Sequence, residues 1–77
     1  MKDAGIHDLD RLIRKYLRVD SEVPLLEGTT IASLGAAEWC VIDLGIAVHS
    51  KFGVELTAES ALALRTVGDW RRLIQRR

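Results

Sequence analysis

The sequence predicts an all-α fold, a four-helix bundle with a long first loop and a short third helix, in a single domain covering residues 1–77. Three observations point there. Apolar residues recur at helical spacing in two long segments, one near the start of the chain and one in its middle. The stretch between them contains Pro24 and Gly28 and reads as a connection. Thr66 followed three residues later by Asp69 has the form of a capping box ahead of a last helix.

The first helix is expected from about Gly5 to Leu17, where Ile6, Leu9, Leu12, Ile13, Tyr16 and Leu17 share a helical period. Its early Asp8 and Asp10 and its late Arg14, Lys15 and Arg18 complement the helix dipole. The long connection ends at Gly35, and its Val23, Leu25, Leu26, Ile31 and Leu34 are expected to fold back onto the bundle, since so long a loop in so small a domain must contribute to the core. The second helix is expected over about Ala37–Phe52, stopped by Gly53. At about 100° per residue, Val41, Leu44, Val48 and Phe52 form one stripe, its core face. A short third helix fits Ala58–Leu64 with Thr57 as cap, and the fourth runs from the Thr66 box to near Arg76. No internal repeat, linker or low-complexity segment is visible.

A chain of 77 residues lies near the lower end of what buries a self-sufficient core. With 48% hydrophobic and 29% charged residues it reads as soluble and globular. No apolar run reaches the length of a membrane span, and the charged start Met1-Lys2-Asp3 lacks a signal-peptide stretch, so the expected location is the cytoplasm. Cys40 is the only cysteine, which excludes an intrachain disulfide. His7 and His49 have no cysteine or acidic cluster at ligand spacing, so no metal site is expected, and no Gly-rich phosphate loop or nucleophile and base pairing suggests catalysis. The late Arg65, Arg71, Arg72, Arg76 and Arg77 face only Asp69. They read as a solvated helix end; without aromatic residues interleaved on a second face, a nucleic-acid surface is poorly supported.

Four motifs then stand in order at family spacing. Thr30-Ile31-Ala32-Ser33-Leu34-Gly35 resembles a TxLxxLG approach, and Leu34-Gly35-Ala36-Ala37-Glu38-Trp39 stands where LGxDSL is expected. Asp43-Leu44 falls where the family usually has Glu-Leu, Phe52-Gly53-Val54-Glu55-Leu56 then matches FGVxI, and Thr66-Val67-Gly68-Asp69 matches TVGD. The chain thus resembles the acyl carrier protein family without a gap from Thr30 to about Ile74, which implies an acyl-carrier-like bundle. In that family the serine hydroxyl is esterified to 4′-phosphopantetheine. Here Glu38 occupies the position and offers no hydroxyl, so no cofactor is expected. The resemblance also implies an acidic protein, yet 11 basic residues balance 11 acidic ones.

Trp39, Ile42 and Ile46 make a second apolar stripe on the same helix, with His49 at its end. Corresponding positions in the family meet partner enzymes, so the resemblance implies a contact surface of Glu38, Trp39, Ile42, Asp43 and Ile46. The alternative is a central helix covered on both sides. Ala37, His49 and Ser50 stand where the family often has acids, so recognition is expected to lean on apolar burial more than on electrostatic steering. Glu38 itself has two readings: it imitates part of the missing phosphodiester charge, or it supports the helix start once the Asp cap is lost. The expected function is a non-catalytic, pantetheine-free partner of an enzyme or another carrier in fatty-acid, polyketide or nonribosomal peptide biosynthesis. Alternatives are a genuine carrier attached through Cys40 or Ser33, and an interaction module outside biosynthesis.

Overall fold

A computed structural model describes the backbone of residues 2–75 and the side chains of residues 5–75. Its elements, in order, are α1 (Lys2–Leu17), a 3₁₀ turn (Ala32–Leu34), α2 (Glu38–Phe52), α3 (Ala58–Ala63) and α4 (Val67–Gln75). Met1, Arg76 and Arg77, and the side chains of Lys2, Asp3 and Ala4, lie outside the described residues.

α1 starts at Lys2, three residues before the expected Gly5. A glycine inside a helix costs about 1 kcal/mol but does not end it when the following turns pack well. Leu9 and Ile13 are fully buried and Leu17 nearly so. The helix closes with Arg18 in the left-handed region at φ 56° and the Val19 N–H donating to the Arg14 carbonyl at 2.9 Å, a Schellman-type end.

The core gathers these residues with Val41, Leu44, Val48 and Phe52 from α2, as the stripe predicts, and with Val67, Trp70 and Ile74 from α4. The connection does not fold back as a whole. Leu25 and Ile31 are buried and Leu34 is half-buried, but Leu26 is 62% exposed and Val23 39%. Neighbouring residues in extended chain point to opposite sides, so inserting Leu25 turns Leu26 outward.

What fixes this connection is a main-chain strap on α4. Gly68 N–H donates to the Glu27 carbonyl at 3.0 Å, Val67 N–H to Thr29 at 2.8 Å, and Ile31 N–H to the Arg65 carbonyl at 2.8 Å. The first two bonds supply partners for N–H groups at the start of α4, and in the third the loop is the donor. The approach is close enough that a Cβ on Gly68 would stand 2.7 Å from the Glu27 carbonyl oxygen.

Arg71 reinforces the strap, which corrects the expectation of a solvated arginine cluster facing only Asp69. Its guanidinium lies 2.9 Å from Asp10 of α1 and 2.9 Å from Glu27, and it donates to the Leu25 carbonyl at 2.7 Å. Burial opposes the charge, but the hydrogen bonds to Glu27 and Asp10 outweigh it and hold the Arg71 pKa above the ordinary guanidinium value. Arg72 is exposed and pairs with Asp69.

The capping residues behave as expected. The Thr57 hydroxyl accepts from Ser60 N–H at the start of α3. At α4, Asp69 N–H donates to Thr66 Oγ1 at 3.1 Å, while Thr66 and Arg65 N–H groups both donate to Asp69 Oδ2 at 3.2 Å. Gly53 ends α2 at φ 71° with its N–H on the His49 carbonyl.

Two outcomes follow. Gly68→Ala forces the strap off α4, so its urea midpoint falls clearly below that of Gly5→Ala, whose new Cβ would meet only Ile74 Cδ1 at 3.9 Å. Equal midpoints would show that the close approach is not structurally needed. The second concerns acid. The hydrogen bond from Arg72, then those from the Thr66 and Arg65 backbone, lower the Asp69 pKa below its ordinary 3.8. The folded chain therefore releases this proton more readily than the unfolded one. Stability from Asp69 is complete above pH 3.8 and is lost as pH falls through the lowered folded value. Asp69→Asn should flatten that part of the acid limb in urea titrations; an unchanged limb would refute the assignment.

Candidate functional site

Ala37 enters α2 in an extended conformation and makes no side-chain cap, so the helix start relies on backbone geometry alone. Glu38 follows as the first helical residue, exposed, in the turn where unpaired N–H groups and the dipole favour a negative charge. The 3₁₀ turn held by the strap delivers the chain to this point. Beside Glu38 lies a cleft of about 470 Å³, lined by Ile31, Ala36, Val41, Leu62 and Leu64, with Arg65 on its rim.

The second stripe begins at the next residue of α2. Trp39 is 76% exposed and Ile46 64%, while Ile42 is half-buried and Asp43 exposed. Trp39, Asp43 and Ile46 therefore lie exposed on the side of α2 away from the core stripe, while Glu38, also exposed, borders the cleft. Ile42 and Ile46 both line a second pocket of about 210 Å³, with Gly45, Leu56, Thr57 and Ala58. That pocket exists because α3 packs close to α2 at Gly45, where a Cβ would stand 3.1 Å from Ala61 Cβ and 3.2 Å from Leu56 Cδ2. Sequence reasoning missed this pocket. Its signal was Gly45 in mid-helix, a costly residue there unless a neighbour needs the space.

His49 does not simply extend the stripe. Its Nδ1 lies 2.6 Å from the Val54 carbonyl, and because a carbonyl only accepts, Nδ1–H is the donor. The ring ties the end of α2 to the chain after Gly53. Ser33 sits in the 3₁₀ turn, five residues before Glu38, with its hydroxyl donating to the Thr30 carbonyl at 2.7 Å. Cys40 is a free, half-buried thiol packed against the core. Among the described residues, no group of three His, Cys, Asp or Glu side chains could hold a metal ion, and no helix is long and apolar enough to cross a membrane.

The chain is similar to the acyl carrier protein of Helicobacter acinonychis, with 35% identity over 66 residues, 86% of this chain and 85% of the relative. It is 32% identical to the acyl carrier protein of Wolinella succinogenes over 72 residues, covering 94% and 95% of the two chains. A third relative, the acyl carrier protein of Syntrophobacter fumaroxidans, is 36% identical over 58 residues, 75% of this chain and 72% of its own. No family profile matches the chain, and no solved structure does.

The two tryptophans give the site an internal control. Trp70 is fully buried and Trp39 is 76% exposed. Trp70→Ala should cost about 3–5 kcal/mol, whereas Trp39→Ala should change stability by no more than about 0.5 kcal/mol. Ile42→Ala, half-buried against the α2–α3 pocket, should fall between them. Denaturant midpoints decide: a large loss for Trp39→Ala would assign that side chain to the core and remove the exposed face.

Proposed function

The chain belongs to the acyl carrier protein family, and from that premise we propose that it is a member without a prosthetic arm, a non-catalytic protein that binds partners in fatty-acid, polyketide or nonribosomal peptide biosynthesis. The observation carrying this reading is residue 38. In the family, the attachment serine opens the second helix. Here Glu38 is the first residue of α2, exposed at the mouth of a cleft, with a carboxylate where a hydroxyl would have to attack coenzyme A. A carboxylate supplies neither the phosphodiester linkage nor the thiol that carries an acyl group.

The neighbouring surface supports the partner role. Trp39 and Ile46 present apolar area that the fold does not use, and exposed aromatic residues beside aliphatic ones are common anchors of protein interfaces. Glu38 and Asp43 border this area with negative charge. The chain's balance of 11 basic and 11 acidic residues removes long-range attraction to a basic enzyme, so affinity comes mainly from burying Trp39, with Ile42 and Ile46 around it. The working compartment is the cytoplasm, where synthase enzymes and genuine carriers are available as partners.

The test is chemical. Incubated with coenzyme A and a broad-specificity pantetheinyl transferase, the chain should keep its intact mass. The double variant Ala37→Asp, Glu38→Ser restores cap and nucleophile on an otherwise matching approach, and should gain one pantetheinyl phosphate. Modification of the natural sequence, mapped to Ser33, Cys40 or any other residue, would overturn the reading. A folded double variant that stays inert would show that the surface has diverged further, with Trp39 the first residue to examine.

A further inference from the structure

We propose that the outer face of α1 is a second docking surface, separate from the exposed face of α2, and that it takes an acidic α-helix of another protein whose carboxylates stand one turn apart. The proposal does not depend on the missing prosthetic arm.

α1 lays Leu9, Ile13 and Leu17 in the core, and at about 100° per residue its opposite side falls at Arg11. Among the described side chains, the exposed residues of α1 are His7, Arg11 and Lys15, and the exposed Arg18 follows at its end. Among the described residues, no carboxylate lies within ion-pair distance of Arg11, Lys15 or Arg18. The Lys15 ammonium sits instead 5.7 Å from the centre of the Tyr16 ring. Arg14, beside them, is used within the fold, donating to the Asp20 carbonyl. The helix dipole does not account for the row, because its effect is confined to the last turn and Arg11 stands before that turn. Like charges four residues apart, at Arg11 and Lys15, also work against the helix. α1 thus holds a row of cations that its own packing does not use.

Charge and spacing define the partner. Arg11, Lys15 and Arg18 rise along the axis in steps of roughly 6 Å and 4.5 Å, which a helix with acids at positions i, i+4 and i+7 matches. No three acidic residues of this chain stand at that spacing in either chain direction, so a second copy does not supply the complement. A continuous phosphate backbone fits less well: the half-buried Asp8 flanks the row, Asp20 and Glu22 follow it, and no exposed aromatic residue on this face offers a stacking surface for a base. An anionic membrane finds no anchor here, since no described apolar side chain of α1 is exposed. Discrete carboxylates with donors between them meet both the cations and the acids at their edge. Every contact is exposed, so the complex is weak and salt-sensitive.

Amide chemical-shift mapping of the whole chain with a pair of alanine-based helical peptides tests the proposal. One peptide carries glutamates at i, i+4 and i+7, and the other has the same composition with the glutamates spread round the helix. The first should shift the amides of α1 and bind at least about threefold more tightly than the second, with the difference vanishing in high salt. Arg11→Ala combined with Lys15→Ala should abolish this binding at an unchanged urea midpoint, because alanine favours the helix and the like-charge repulsion is gone. Equal affinity for the two peptides, shifts centred on α4, or no shift at millimolar peptide would overturn the proposal. Tighter binding of a single-stranded oligonucleotide or of phosphatidylserine vesicles would also overturn it, because the face would then be reading phosphate. A clear fall in the midpoint of the double variant would do the same by assigning these cations to the fold.

Discussion

The contact on which the rest of the structure depends is the seating of the loop after α1 on the first turn of α4. Three main-chain hydrogen bonds run between residues 27–31 and 65–68, and Gly68 allows them by having no side chain to strike the Glu27 carbonyl. Arg71 then ties the same loop to Asp10 of α1. Without this strap Leu25 and Ile31 would lose their burial, and the 3₁₀ turn leading to Glu38 would have no fixed origin. The position of the candidate site is thus set by residues far from it in sequence, at the opposite end of the chain.

Once α2 is placed, its two faces do different work. Val41, Leu44 and Val48 are buried in the core, with α2 packed on α1 and α3, while Trp39 and Ile46 remain in water on the other side. A small domain has few apolar residues to spare, and leaving an indole exposed forgoes burial that would otherwise stabilise the fold. Their placement beside Glu38, at the helix end where the family attaches its arm, makes binding the economical account. Glu38, which stands where the family has its serine, and the exposed Trp39 are consecutive residues.

Much of this was legible in the sequence because it is local. The stripe Val41, Leu44, Val48 and Phe52, the Thr57 cap, the Thr66–Asp69 box and the Gly53 stop are each set by spacing within one turn or two, and the structure reproduces them. What was not legible depends on approach between distant segments. Arg71 reads as one more surface arginine until Asp10 and Glu27 are brought to it. Leu26 reads like Leu25, and only the direction of the extended chain sends one in and the other out. Of the candidate site, Trp39, Asp43 and Ile46 were readable as one exposed face. The pocket beside Ile42 was not, because Gly45 acquires its meaning only when α3 packs against it.

The central claim is that this member of the acyl carrier family works without a prosthetic arm. The most direct measurement is the intact mass of the chain isolated from the cells that naturally make it, where its own transferase and coenzyme A pool have acted on it. The account predicts one population that carries no pantetheinyl phosphate. A fraction bearing that group, or an acyl chain attached through it, would contradict the account whatever residue held it.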